Sequence, residues 1–306
     1  MKNSRLGRLF SAVLLTILFA ASSPVAAGPL SGSYPVVLAH GILGFDDTNG
    51  LANGLIKYWG GLDGYLRGQG VPVLTPGVTA LNGPNYRGPQ LKSAILYWMA
   101  ANNYSKVHII AHSQGGLDSR YMVANLGMSG KVRSITTVNS VHRGTPVADV
   151  ALAVIPSWLQ PTVGTLLNLL GQAIYGSKQD VIAMAKSLTT GYLSTFNNTS
   201  PNHSAVKYFS YASAMTIADL VQHPLMGLTY PITWTGGVFN GQGGKNDGVV
   251  PYSSQKWGTF KGDPATPWYA TGVDHLQATN FAKTGQLWYD VHGYYLTMAT
   301  NAKNNQ

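Results

Sequence analysis

The sequence predicts one α/β domain: a mostly parallel sheet with helices on both faces and a helical lid inserted between two strands. Three observations carry that expectation. Apolar runs at 35–40, 71–75, 107–111 and 133–138 alternate with helix-like segments near 55–68, 89–102 and 115–126. Alternation at that spacing builds parallel strands joined by crossover helices. The run ending at Ala111 passes through His112-Ser113-Gln114-Gly115-Gly116 into a helix-like segment with no loop between. After Pro146 the alternation stops, and residues 147–193 are helix-like and unusually apolar.

Taken in order, residues 1–27 read as a secretory signal. Lys2, Arg5 and Arg8 make a basic start, and residues 9–21 form an apolar stretch too short to span a bilayer. Val25-Ala26-Ala27 then supplies a small-x-small cleavage site, so the mature, secreted chain is expected to be residues 28–306. That length suits one domain with a large core. The first strand run ends in Gly41-Ile42-Leu43-Gly44, a glycine-containing loop. The run at 107–111 meets Ser113 in a turn so tight that the serine is forced into a strained, exposed backbone position. Residues two before and two after such a serine must be almost free of side chain. Gly115 meets that demand, and Ala111 meets it with one methyl group.

A Ser-Gly turn before an ordinary helix is the bland alternative, since both residues are common. The early glycine loop tips the balance. Acyl transfer through a serine needs two backbone N–H groups aimed at the oxyanion. Gln114, directly after the serine, supplies one, and Ile42 in the early loop supplies the other.

The insertion at 147–193 carries apolar residues on more than one helical face. It reads either as an extra buried helical layer or as a lid over an acyl pocket, with Gly164 and Gly171 as hinges. Further strands are expected at 206–212 and 232–239, and a closing helix within 284–299.

A serine hydroxyl needs a histidine to take its proton, and that histidine needs an acid to fix its tautomer. Five histidines follow Ser113. His142 comes too early, His203 and His223 sit in Pro/Asn-rich connections, and His292 falls in the final helix. His275, in a loop before that helix, is left as the base. Asp274 is its sequence neighbour and cannot reach the far ring nitrogen, and Asp263 precedes Pro264 in a surface turn. Asp247, in the turn Asn246-Asp247-Gly248, is the acid. His40 and His112 flank the glycine loop and the serine, with structural hydrogen bonding as their default role.

Composition excludes several other classes. All eleven acidic residues are aspartates, so a zinc site built on His-Glu-x-x-His is impossible, and no His/Asp spacing suggests a catalytic metal. There is no cysteine, so an exported chain would rely on its core without disulfides. The formal charge is +9, but the basic residues beyond the leader are scattered, which argues against nucleic acid as a partner.

Together these segments resemble the secreted bacterial true lipases, the triacylglycerol lipases of the Pseudomonas and Burkholderia type. The resemblance rests on Pro35-Val36-Val37-Leu38-Ala39-His40-Gly41, Tyr58-Trp59-Gly60-Gly61, Gly83-Pro84-Asn85-Tyr86-Arg87-Gly88 and His142-Arg143-Gly144-Thr145. The serine, Asp247 and His275 segments complete it. The Ala-His-Ser-Gln-Gly elbow is similar to Bacillus and Geobacillus lipases. The resemblance implies an α/β-hydrolase fold with Ser113 as nucleophile, Asp247 as acid, His275 as base, and Ile42 and Gln114 as oxyanion donors. It also implies a mobile lid, a water-insoluble lipid ester as substrate, and an export foldase as partner for what is expected to be a monomer. Related lipases often bind calcium beside the histidine loop through an acid two residues after the histidine. Here that position is Gln277, so no cofactor is expected; weak calcium coordination through the Gln277 amide oxygen stands as the disfavoured alternative. A polyester-degrading esterase, an acyltransferase and a non-catalytic binding protein of the same fold stand as alternatives.

Overall fold

The computed structural model describes residues 27–51, 54–157 and 159–306. The expected leader falls outside them except for Ala27. Six parallel strands form one sheet in the order β2-β1-β3-β4-β5-β6. They are β1 (Val36–Ala39), β2 (Val73–Leu74), β3 (Val107–His112), β4 (Val132–Val138), β5 (Lys207–Tyr211) and β6 (Thr259–Gly262). β1 and β3 are buried along their whole length, which is why they read as continuous apolar runs rather than alternating ones.

The crossovers are α1 (Leu62–Gly68), α2 (Pro84–Asn102) and α3 (Gln114–Asn125). α1 and the closing helix α9 (Val291–Lys303) pack together, with Leu62, Leu66, Tyr295 and Met298 in one core. α2 and α3 contribute Leu91, Ile95, Met99, Met122 and Val123 to a second core. Two hydrophobic clusters thus cover the sheet, as the alternating pattern requires. Pro84 opens α2, where its missing N–H costs nothing. α9 begins on Asp290, whose carboxylate accepts the Gly293 N–H.

Between β4 and β5 the chain forms four helices: α4 (Pro146–Val154), α5 (Gln160–Tyr175), α6 (Val181–Ser187) and α7 (Thr190–Thr199). Gly164 and Gly171 lie inside α5 rather than at its ends. A Cβ at Gly164 would press on Ile182 of α6, so close packing, not hinge freedom, accounts for that glycine.

The expected strand at 232–239 is wrong. Those residues are the second half of a helix, α8 (Met226–Phe239). Its β-branched and aromatic residues favour strand by propensity, but small residues on one face let the helix seat closely. Gly236 lies against Pro146 of α4, and the Thr233 hydroxyl donates to the Gly248 carbonyl at 2.9 Å. Tertiary contact overrides local preference here. β6, an exposed four-residue edge strand, was not anticipated.

Candidate active site

Ser113 sits between β3 and α3 with φ 54° and ψ −128°, a conformation that L-residues other than glycine rarely adopt. The elbow is held from both sides. Its N–H donates to the Val138 carbonyl, and its own carbonyl accepts from the Ser140 hydroxyl at 2.6 Å. Gly115 passes so close to the Ala39 carbonyl that any side chain there would collide with backbone, which explains the small-residue requirement.

Asp247 and His275 reach Ser113 from the other half of the sheet. Beyond β5, Met215 donates its N–H to Asn246 at 2.8 Å, and Ala214 accepts from Val273 at 3.2 Å. The His275 N–H then donates to the Asp247 carbonyl at 2.9 Å. The chain leaving β5 therefore laces the Asp247 turn and the His275 loop together. As a result His275 Nε2 lies 2.9 Å from Ser113 Oγ, and Nδ1 lies 2.7 Å from Asp247 Oδ2. Oδ1 of Asp247 accepts the N–H groups of Val249 and Val250 at 3.0 and 2.7 Å. Oδ2 also accepts from the Asn139 amide at 2.8 Å. A carboxylate with no solvent exposure is thus compensated at every oxygen.

The N–H groups of Ile42 and Gln114 have no acceptor among the described residues. Gln114 opens α3, so the positive end of the helix dipole adds to its N–H. The Ile42 donor is aimed from behind. Its peptide carbonyl, Gly41 O, accepts from Arg87 Nη2 at 3.0 Å and faces His40 Nδ1 at 2.8 Å. His40 Nε2 takes the Val78 N–H, so the proton must sit on Nδ1, which donates. Because C=O and N–H point oppositely in a trans peptide, fixing Gly41 O fixes the direction of the Ile42 N–H. Burial and the nearby Arg87 charge lower the His40 pKa to about 3, keeping the ring neutral.

Sequence reasoning missed Arg87, Tyr58 and Asn139 as parts of this arrangement. Arg87 also donates to His40, Thr79 and Ala80 carbonyls and pairs with Asp118 of α3 at 2.8 Å, fully buried. The Tyr58 hydroxyl accepts the Gly41 N–H at 2.9 Å and donates to His112 Nδ1 at 2.7 Å. The His112 ring stands 4.5 Å from that of His275, and burial, then the His275 charge, hold its pKa well below the usual range. A neutral neighbour does not compete with a developing imidazolium. The only local sign of these roles was polar residues placed at strand ends and in a helix's first turn.

The loop around Gln277 is braced by its own hydrogen bonds. Gln277 Oε1 accepts the Asp274 N–H at 3.2 Å, and Nε2 donates to the Gln222 carbonyl at 2.7 Å. Asp274 Oδ1 accepts two backbone N–H groups, and Oδ2 pairs with buried His223 at 3.0 Å. Calcium coordinates six to eight oxygens, whereas in this loop Gln277 Oε1 and both Asp274 carboxylate oxygens are already engaged in hydrogen bonds. Among the described residues no group of three His or Asp side chains is placed to hold a metal.

No family model matches the chain. It is 32% identical over 248 residues to a triacylglycerol lipase of Vibrio cholerae, covering 74% of each protein. It is 35% identical over 195 residues to a triacylglycerol lipase of Burkholderia plantarii, covering 60% of this chain and 53% of that protein. The chain therefore spans about half the length of the Burkholderia relative. Among solved structures, Staphylococcus hyicus lipase matches with a TM-score of 0.64 at 19% identity, covering 89% of this chain and 96% of that one. That likeness shows the α/β-hydrolase fold.

Proposed function

The chain belongs to the triacylglycerol lipase family, and from that premise we propose that it is a secreted serine ester hydrolase acting on triacylglycerols. The observation that supports this reading best is the unbroken hydrogen-bond line from Ser113 Oγ through His275 to Asp247. His275 takes the hydroxyl proton as Ser113 attacks the ester carbonyl, and Asp247 stabilises the resulting imidazolium. The oxyanion settles between the Ile42 and Gln114 N–H groups, which cost no reorganisation because Arg87 and α3 already hold them. His275 gives the proton to the departing alcohol. It then activates water, which attacks the acyl-enzyme and releases the fatty acid.

The substrate class follows from the surface beside the site. Leu166, Leu169 and Ile174 on α5, and Leu228, Trp234 and Phe239 on α8, are all exposed. Apolar faces of that extent mark binding to an apolar partner. In this reading α5 acts as a lid that settles on an oil surface.

Hydrolysis of a short-chain triacylglycerol, followed across its solubility limit with parent and Ser113→Ala enzyme, tests both parts. The parent rate should climb steeply once droplets form, and Ser113→Ala should lose several orders of magnitude throughout. An active Ser113→Ala enzyme would remove the nucleophile assignment. A rate indifferent to the solubility limit would remove the lid.

A further inference from the structure

We propose that Asn139 is a positioning residue for the acid of this site, holding the Asp247 carboxylate in register with His275; this rests on the serine-hydrolase reading above. Asn139 is the first residue beyond β4, fully buried, with φ 50°. A left-handed backbone at a residue other than glycine costs stability and persists where the surroundings demand it. Here it aims the side chain at the acid. One amide hydrogen goes to Ser213 Oγ at 2.6 Å and the other to Asp247 Oδ2 at 2.8 Å. The backbone is pinned as well, since the Asn139 N–H donates to the Tyr211 carbonyl at 3.2 Å.

The oxygen it contacts is the one that matters. Oδ2 is also the acceptor for His275 Nδ1, whereas Oδ1 is bound by the Val249 and Val250 N–H groups. With the two oxygens held from different directions, the carboxylate cannot rotate about its last bond. Oδ2 thereby stays on His275 Nδ1. Asn139 also shares the negative charge of Oδ2 and so tempers the pull on the proton at Nδ1. The groups facing this pair are few. His112, behind the base, is neutral, Tyr58 donates to His112, and Asp274 is turned away to His223.

Replacing Asn139 by glycine removes the amide and relieves the backbone strain, so folding is preserved while the hydrogen bond is lost. On a soluble short-chain ester, Asn139→Gly should lower kcat by about tenfold or more with KM little changed, because a hydrogen bond to a charged group is lost. The acidic limb of kcat/KM, which reports protonation of the base, should move to higher pH as the uncompensated carboxylate holds the imidazolium more tightly. Ser213→Ala, which removes only the support of the amide, should shift the limb in the same direction by less. A lowered melting temperature with an unmoved limb and unchanged kcat in both variants would overturn the proposal. Parallel assays of Ser113→Ala separate the two ideas. If that variant is inactive, a negative result with Asn139→Gly counts against Asn139 alone. If it is active, the underlying reading has failed.

Discussion

Arg87 donates to four backbone carbonyls and one carboxylate from a position with no solvent exposure. Its fork joins the early glycine loop, the turn before α2 and helix α3. A lysine at 87 would keep a positive charge near Asp118 but could not reach Gly41 O and Asp118 together. Losing one oxyanion donor costs about 10²–10³ in kcat, and Arg87→Lys should approach the lower figure because the Ile42 N–H loses its aim. Arg87→Met would strand Asp118, whose pKa burial already raises to about 6, and should cost roughly 3–5 kcal/mol of stability. Steady-state kinetics on a soluble ester beside thermal melts would check both; an Arg87→Lys enzyme with parental kcat would show that His40 alone suffices. That Ser113, Asp247 and His275 meet could be read from sequence because each sits in a local signature: an elbow, a glycine turn and a late loop. Arg87 and Asn139 could not. Their partners are distant in sequence, and a polar residue at a strand end or in a helix's first turn does not say which distant group it contacts.

At the scale of elements, legibility followed burial. β1 and β3 are covered on both faces and appear as apolar runs, and the helices between the strands carry the expected spacing. α8 defeated the reading because its contacts with α4 and the Asp247 turn, not its residue preferences, make it a helix. The same elements decide how the histidine loop is held. Gln277 links Asp274 to the chain entering α8 through Gln222, and His223 closes the same link from the other side. This brace of side-chain and backbone hydrogen bonds predicts indifference to chelation: EDTA should leave kcat and melting temperature unchanged. Gln277→Ala should lower the melting temperature by several degrees, since two buried hydrogen bonds are lost at about 1 kcal/mol each. A loss of activity in EDTA that calcium restores and magnesium does not would show the loop to be metal-dependent.

Over the whole molecule, the buried titratable groups dictate how stability responds to acid. Burial is the first cause in each case. It lowers His40 to about 3 and His108 to about 4, and drives His112 and His142 well below the usual histidine value. It raises Asp47 and Asp118 to about 6. Above pH 6.5 the four histidines are neutral in both folded and unfolded chains, so their burial carries no penalty that changes with pH. Below that, the unfolded chain takes up four protons that the folded chain refuses, and stability falls by about 1.4 kcal/mol per pH unit for each. The two aspartates work the other way between pH 6 and 3.8, where the folded state binds the proton first. Four against two leaves roughly two protons in favour of the unfolded chain, a net loss of about 2–3 kcal/mol per pH unit in that window. The melting temperature should therefore be nearly level from pH 8 to 6.5 and fall steeply from pH 6 towards 4. Calorimetric scans across that range provide the measurement. A melting temperature that holds or rises as pH drops from 7 to 5 would mean that the aspartates outweigh the histidines, or that the buried rings accept protons in the folded state.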